Sequence, residues 1–166
     1  MDKEQKSVIK AVKLLIENDI ELIRNQPREE CMNHKFAQYL EEVLKSRGVL
    51  TKLELNVDVE YDKYKEDEKK SSCGRNIRPD IIVHKRKSGN KNNLMVIEAK
   101  KDYIDKKDRC KIMDLVKNKN FEYSLGAGVA YLPNRNYMKI KFFLSGGTWE
   151  NYQLNKEDFT IKKTKR

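Results

Sequence analysis

Two apolar segments constrain this chain more than any other feature: Asp80-Ile81-Ile82-Val83 and Leu94-Met95-Val96-Ile97-Glu98-Ala99-Lys100. Each is apolar through its interior and charged at one end, and ten residues, His84 to Asn93, join them. An apolar run of roughly four to eight residues bounded by turn residues reads as a buried strand, so the pair reads as a β-hairpin with a basic tip. Side chains alternate across a strand, which places Glu98 and Lys100 on one face and Ile97 and Ala99 on the other. If the strands run antiparallel, the start of the first lies beside the end of the second and Asp80 meets Glu98. Two carboxylates and an ammonium then converge.

Such a patch suits phosphodiester hydrolysis. Mg²⁺ is a hard ion that takes one or two carboxylates together with water and substrate phosphate. Lys100 stands where it can orient the attacking water and offset charge in the transition state. A lone E-x-K is also what an ordinary ion pair at a strand end looks like; the Pro79-Asp80 pair opening the partner strand makes the combination specific.

Elsewhere the periodicity is helical before it is extended. Val8, Val12, Leu15, Ile16, Ile20 and Ile23 recur at helical steps over Lys3 to Arg24, and Asn25-Gln26-Pro27 ends that helix. A second helix is expected from Arg28 to Arg47, stopped by Gly48. Leu53, Leu55, Val57 and Val59 then alternate as a first strand, and Asp62 to Asn76 reads as a long exposed loop. Ile104 to Asn118 is helical in pattern. Gly126 and Gly128 precede a strand at Val129 to Leu132, with further strands at Met138 to Leu144 and, more weakly, Trp149 to Leu154. The tail from Lys162 to Arg166 reads as basic and frayed.

Composition narrows the class. With 166 residues the chain fits a single domain. Lys and Arg outnumber Asp and Glu by 36 to 26, and a basic surplus of ten concentrates polyanions such as DNA or RNA. Cys31, Cys73 and Cys110 form no CxxC and no even framework, so neither disulfides nor a zinc ribbon is expected. The charged N-terminus and the lack of a long apolar run predict a cytoplasmic protein without a membrane partner.

With these residues in place, the chain resembles the PD-(D/E)XK nuclease superfamily, the restriction-endonuclease-like fold. Pro79-Asp80 matches the PD half and Glu98-Ala99-Lys100 matches E-x-K. The likeness to a small bacterial group within the superfamily also runs through Glu30 to Leu40, Val57 to Tyr61, Arg78 to Arg86 and Asn93 to Lys101. It implies an α/β fold: an αβββαβ core with a mixed central sheet flanked by helices, over residues 1–166, with the helix of residues 1–24 outside that core and 162–166 as a tail. It further implies Mg²⁺ or Mn²⁺ as cofactor and hydrolysis of nucleic-acid phosphodiesters.

The resemblance also implies a glutamate on the helix before the sheet, and Glu30 occupies that position, giving Glu30, Asp80, Glu98 and Lys100 as the expected catalytic set, with the three carboxylates on the metal. Helix geometry sets Glu30 at the border of the apolar face and Glu29 nearer its centre, so Glu29 remains a rival. Glu60, ending the first strand, and His84, on the face of Asp80, could flank the site. Substrate grip is expected from Lys85, Arg86, Lys87 and Lys91 at the hairpin tip and from Lys101 and Lys111 on the basic stretch to Lys119, where Lys107 and Lys117 compete with Lys111. Tyr61, Tyr103 and Tyr123 are candidates for base stacking.

The expected activity is that of a metal-dependent DNA endonuclease in defence, restriction or repair. The competing expectations are a nonenzymatic nucleic-acid-binding module, or a subunit that forms a homodimer or larger complex through its N-terminal helix.

Overall fold

The computed structural model describes residues 1–61, 77–86 and 92–165, with backbone alone at 63–64 and 67–68. Helix α1 (Lys3–Arg24) opens on a capping box in which Asp2 accepts from the Gln5 amide and the Gln5 side chain accepts from the Asp2 amide. Helix α2 (Glu29–Ser46) stops where Gly48 adopts φ +68°, a left-handed conformation that glycine enters without a Cβ clash. A single turn, α3 (Val49–Leu53), follows between Gly48 and Glu54, both left-handed. The first strand therefore starts later than its alternation suggests. Leu50 and Leu55 are buried whereas Leu53 is exposed, so the turn, not an extended chain, seats the apolar residues.

The strands are β1 (Asn56–Val59), β2 (Lys63–Tyr64), β3 (Asp67–Glu68), β4 (Ile81–His84), β5 (Met95–Lys100), β6 (Leu125–Ala130), β7 (Tyr137–Leu144), β8 (Trp149–Asn155) and β9 (Ile161–Thr164). Helix α4 (Lys106–Lys117) lies between β5 and β6. β2 and β3 pair only with each other; the other seven form one sheet in the order β1-β4-β5-β6-β7-β8-β9. β5 and β6 are parallel and every other neighbouring pair is antiparallel, so the fold is α/β with a mixed sheet. Apart from β2 and β3, the expected loop from Asp62 to Asn76 falls outside the described residues.

Alternation sorts the sheet into two layers. Ile81, Val83, Met95, Ile97 and Ala99 join Val8, Val12, Leu15, Phe36 and Leu40 in the main core under α1 and α2. Ile82, Val96 and Phe143 point the other way, onto Ile112, Leu115 and Val116 of α4. Helix α1 thus spends its apolar face inside this chain, packed on α2, rather than offering it to a partner, and Gln5 reaches Glu150 of β8 at 2.8 Å.

Residues 161–164 are likewise no frayed tail. β9 pairs with β8, with Ile161 against the core and Lys163 bonded to Glu150 at 2.5 Å. One apolar residue among lysines gave no period to read. No helix among the described residues is long and apolar enough to cross a membrane.

The strand of Gly126 and Gly128 begins at Leu125 and contains both glycines, because α4 lies directly on the first and Ile104, in the segment leading into α4, on the second. A Cβ at Gly126 would stand 2.3 Å from Ile112 Cγ2, and one at Gly128 would stand 2.9 Å from Ile104 Cγ1. Gly126→Ala is expected to destabilise the fold by about 1–3 kcal/mol through overpacking, measured by urea denaturation. Adding Ile112→Ala should recover part of that loss, since the two substitutions share one contact.

Candidate active site

The β4–β5 hairpin forms the centre of the site. Ile81 pairs with Ile97 and Ile82 with Val96, so Asp80, one step before β4, lies opposite Glu98. The Ala99 amide donates to Asp80 Oδ2 at 2.8 Å and fixes that carboxylate against β5. Glu98 and Lys100 project to the α4 face, as alternation requires, and Lys100 Nζ stands 3.4 Å from the same Asp80 oxygen.

Glu98 is fully buried. Its Oε2 accepts from Lys111 Nζ at 2.6 Å, while its Oε1 has no hydrogen-bond partner. A buried carboxylate oxygen without a donor costs several kcal/mol of lost hydration and calls for an explanation. Burial, reinforced by the neighbouring Asp80 charge, pushes the Glu98 carboxyl up to about 8 against the opposing pull of Lys111 and Lys100. Lys100 shows the reverse balance: burial disfavours its charge, but Asp80, Glu29 and Glu98 outweigh burial and raise it.

Helix α4 supplies the fourth group. Lys111 reaches both Glu98 and, at 3.3 Å, the Arg78 carbonyl. Lys107 and Lys117 are exposed, so α4 turns Lys111 rather than its neighbours toward the hairpin.

Glu29, not Glu30, comes to this centre from α2. Its Oε1 accepts from the Lys101 amide at 3.0 Å and its Oε2 stands 3.5 Å from Lys100 Nζ. Glu30 is exposed, one helical step of about 100° away. The sequence signal was the projection of Glu29 toward the centre of the apolar face, which pointed to this position where the resemblance pointed to Glu30. Glu60 lies near Asp80 through its backbone, donating to the Asp80 carbonyl at 2.9 Å, but its carboxylate pairs with Arg78 at 3.7 Å.

No group of three or more His, Cys, Asp and Glu among the described residues has the arrangement of a metal site. The fit to a hard divalent cation therefore rests on two carboxylates. Glu98 Oε1 is buried and undonated, and Asp80 keeps its Oδ1 free of the bonds that hold Oδ2. Two carboxylate oxygens are the donors Mg²⁺ takes from protein, the rest of its shell being water and phosphate. The two lysines supply the positive charge that balances the pair.

His84 lies at the far end of β4, buried, with Nε2 2.9 Å from Asp58 Oδ2 and its ring 4.7 Å from that of Tyr61. Arg86 also bonds Asp58 through Nε, at 3.0 Å, and through Nη2. This cluster, which the sequence did not announce, ties β1 to β4. Burial opposes the Asp58 charge, but the bonds from His84 and Arg86 win and hold its carboxyl well below the usual range. A carboxyl whose folded pKa is depressed adds stability above its unfolded pKa, about 4, and loses it on acidification. Asp58→Asn is therefore expected to cost about 1–3 kcal/mol at pH 7, a cost that begins to shrink below about pH 4 and is still mostly present at pH 3 because the folded carboxyl stays ionised there, read from urea midpoints at pH 7, 4 and 3.

The cations expected to grip substrate are mostly engaged within the chain. Arg86 holds Asp58, Lys85 holds Glu54, Lys101 Nζ donates to the Gln26 carbonyl and Lys111 holds Glu98. Lys87 and Lys91 lie outside the described residues. Of the tyrosines, Tyr123 is 1% exposed and packs in the α4 layer, Tyr61 lies on His84, and Tyr103 is 71% exposed. Cys31 and Cys110 are free thiols at the surface. No protein-family model, no curated protein and no solved structure matches this chain.

Proposed function

We propose that this protein is a divalent-metal-dependent nuclease with a restriction-endonuclease-like core, acting on DNA. One observation carries the reading: the buried, undonated Oε1 of Glu98 beside Asp80, with two lysines converging on the same carboxylates. Asp80 and Glu98 would hold Mg²⁺ or Mn²⁺, with Glu29 positioning Lys100 and the start of the segment after β5. When bound, the cation supplies Lewis-acid polarisation of the phosphoryl group.

The chain's own residues do the rest. Lys100 Nζ, held between Asp80 and Glu29, is close enough to the carboxylates to donate to a phosphoryl oxygen or an attacking water and to offset charge as the bond breaks. Lys111 neutralises Glu98 in the resting site and can turn to a substrate phosphate, since its side chain is 28% exposed.

Incubating purified protein with supercoiled and linear DNA and Mg²⁺ or Mn²⁺ tests this reading: cleavage is expected, and none with either metal refutes it. A second expectation needs no turnover. Mg²⁺ at about ten times its dissociation constant should stabilise the wild type by about 1.4 kcal/mol, roughly 3–6 °C in melting temperature, and should not shift Asp80→Asn.

A further inference from the structure

Helix α4 covers only part of its face of the sheet. Phe143 of β7 and Trp149 of β8 still pack against α4, but beyond them that face carries Lys139 and Lys141 of β7 and Asn151 and Gln153 of β8. Lys141 pairs in register with Gly128, which pairs with Glu98, so a single row runs from the catalytic glutamate to Lys141. The neighbouring row runs from Lys100 through Ala130 to Lys139 and Gln153. At roughly 4.8 Å per strand, the backbone of Lys141 lies two strands, about 10 Å, from that of Glu98 and three strands, about 14 Å, from that of Asp80.

Unlike the hairpin cations, Lys139 and Lys141 have no acidic partner among the described residues. Lys141 is instead crowded by cations: burial first, then Arg109 and Lys139, lower its affinity for a proton. Positive charge held together without a counterion is a standing attraction for a polyanion. Beside it, the ends of β5 and β6 open a cleft of about 430 Å³ lined by Tyr103, Arg135, Tyr137 and Lys139, with Asp102 the one carboxylate among the described residues on its wall. Tyr103 is the most exposed aromatic ring described, and it stands three residues after Lys100.

From this juxtaposition we propose that the uncovered sheet face is the substrate platform, which takes a single-stranded nucleic acid with its phosphates on Lys139 and Lys141 and an unpaired base stacked on Tyr103. The inference rests on the nuclease reading for its proximity to the cleavage centre but makes a separate claim about what is bound. A free tyrosine face gains from stacking only where a base is not already stacked in a duplex, and such stacking tolerates any base. Two lysines beside it track the backbone without reading sequence.

The test is binding of fluorescent dT20 and U20, and of a 20-base-pair duplex, by anisotropy in EDTA so that nothing is cut. Tyr103→Ala is expected to weaken single-strand binding by roughly 5- to 100-fold while leaving the duplex within about twofold, and Tyr103→Phe should bind as wild type. Lys139→Gln with Lys141→Gln should lower the slope of log affinity against log salt by about 1.4, because each lost phosphate contact on a single strand removes about 0.7. Lys6→Gln with Lys10→Gln, on the far side of the molecule, should leave that slope unchanged, and melting curves of all variants control for folding. Tyr103 dependence with either dT20 or U20 supports the platform, and a matched dU20 strand assigns any difference between them to the sugar.

Wild type that binds neither strand, a Tyr103→Ala variant that binds both strands as wild type, or equal losses on single strand and duplex overturns it. Protein that binds as described yet never cuts overturns the nuclease reading and leaves the platform standing. Protein that cuts but ignores these three residues does the opposite.

Discussion

Lys100→Ala is expected to slow DNA cleavage by about 10²–10⁴-fold while leaving the fold close to wild-type stability. The ammonium lies between Asp80 at 3.4 Å and Glu29 at 3.5 Å, on the face and at the strand end where Glu98 is buried. A group in that position stabilises charge as it develops, and its loss is felt in the rate. Stability should change little because Lys100 is partly exposed and its two ion pairs are longer than 3.3 Å, a geometry worth at most about 1 kcal/mol. Single-turnover cleavage alongside a urea curve checks both halves. A variant that cuts as fast as wild type removes Lys100 from the mechanism.

Glu98→Gln is expected to abolish cleavage and at the same time to make the protein more stable at neutral pH, by about 2–4 kcal/mol, because the buried carboxyl resists ionisation and glutamine does not ionise. The two effects have one cause: a fully buried carboxylate beside Asp80, kept although burial raises its carboxyl to about 8. The unfolded group titrates near 4.3, so between about pH 4.5 and 8 the folded chain binds more protons than the unfolded one. Stability then falls as pH rises through that window, and glutamine should flatten the slope. Lys111, released from Glu98, is partly exposed and keeps the Arg78 carbonyl, so it need not become a buried orphan charge. Chemical denaturation of both proteins at pH 5 and pH 8 reads the effect directly. If Glu98→Gln proves less stable at pH 8, the carboxylate is a structural ion pair with Lys111 rather than a site held open for a ligand.

Opposite effects on rate and stability would fit the way the site is built. A chain selected only for stability would place an apolar residue at position 98, between Ile97 and Ala99, where the strand is otherwise buried. Keeping an ionisable carboxyl there, with one oxygen undonated, leaves a group whose full complement of partners would arrive from outside.

How much of this was legible in the sequence follows from how local each signal is. The β4–β5 hairpin, and with it Asp80, Glu98 and Lys100, could be read because a strand's period of two is rigid and both segments are apolar up to their charged ends. Helices α1 and α2 were equally plain from their three- and four-residue spacing. What failed depended on contacts remote in sequence. The position of β9 against β8 is set by Ile161 on the core and Lys163 on Glu150, and nothing within residues 161–164 announces either partner. The choice of Glu29 over Glu30 turned on about 100° of helix rotation, which the docking of α2 against the end of β5 decides. Likewise, α1 read as a free amphipathic helix because its partner surface is built from α2 and the sheet.

The basic residues show the same limit in another form. Counting lysines located charge at the hairpin tip, yet a lysine is available to substrate only if no carboxylate in the fold has taken it. Lys85 and Arg86 are held by Glu54 and Asp58, residues contributed by the segment leading into and through β1. Lys139 and Lys141, in a strand expected from Met138 to Leu144 without regard to its lysines, lie in register with the site and have no acidic partner among the described residues.

Soaking crystals of the protein in Mn²⁺ and recording its anomalous signal tests the central claim most directly. The account predicts one peak within about 2.0–2.6 Å of Glu98 Oε1 and an Asp80 oxygen, with Lys111 displaced from Glu98. Millimolar Mn²⁺ that leaves both carboxylates on their lysines, with no peak between them, would contradict it.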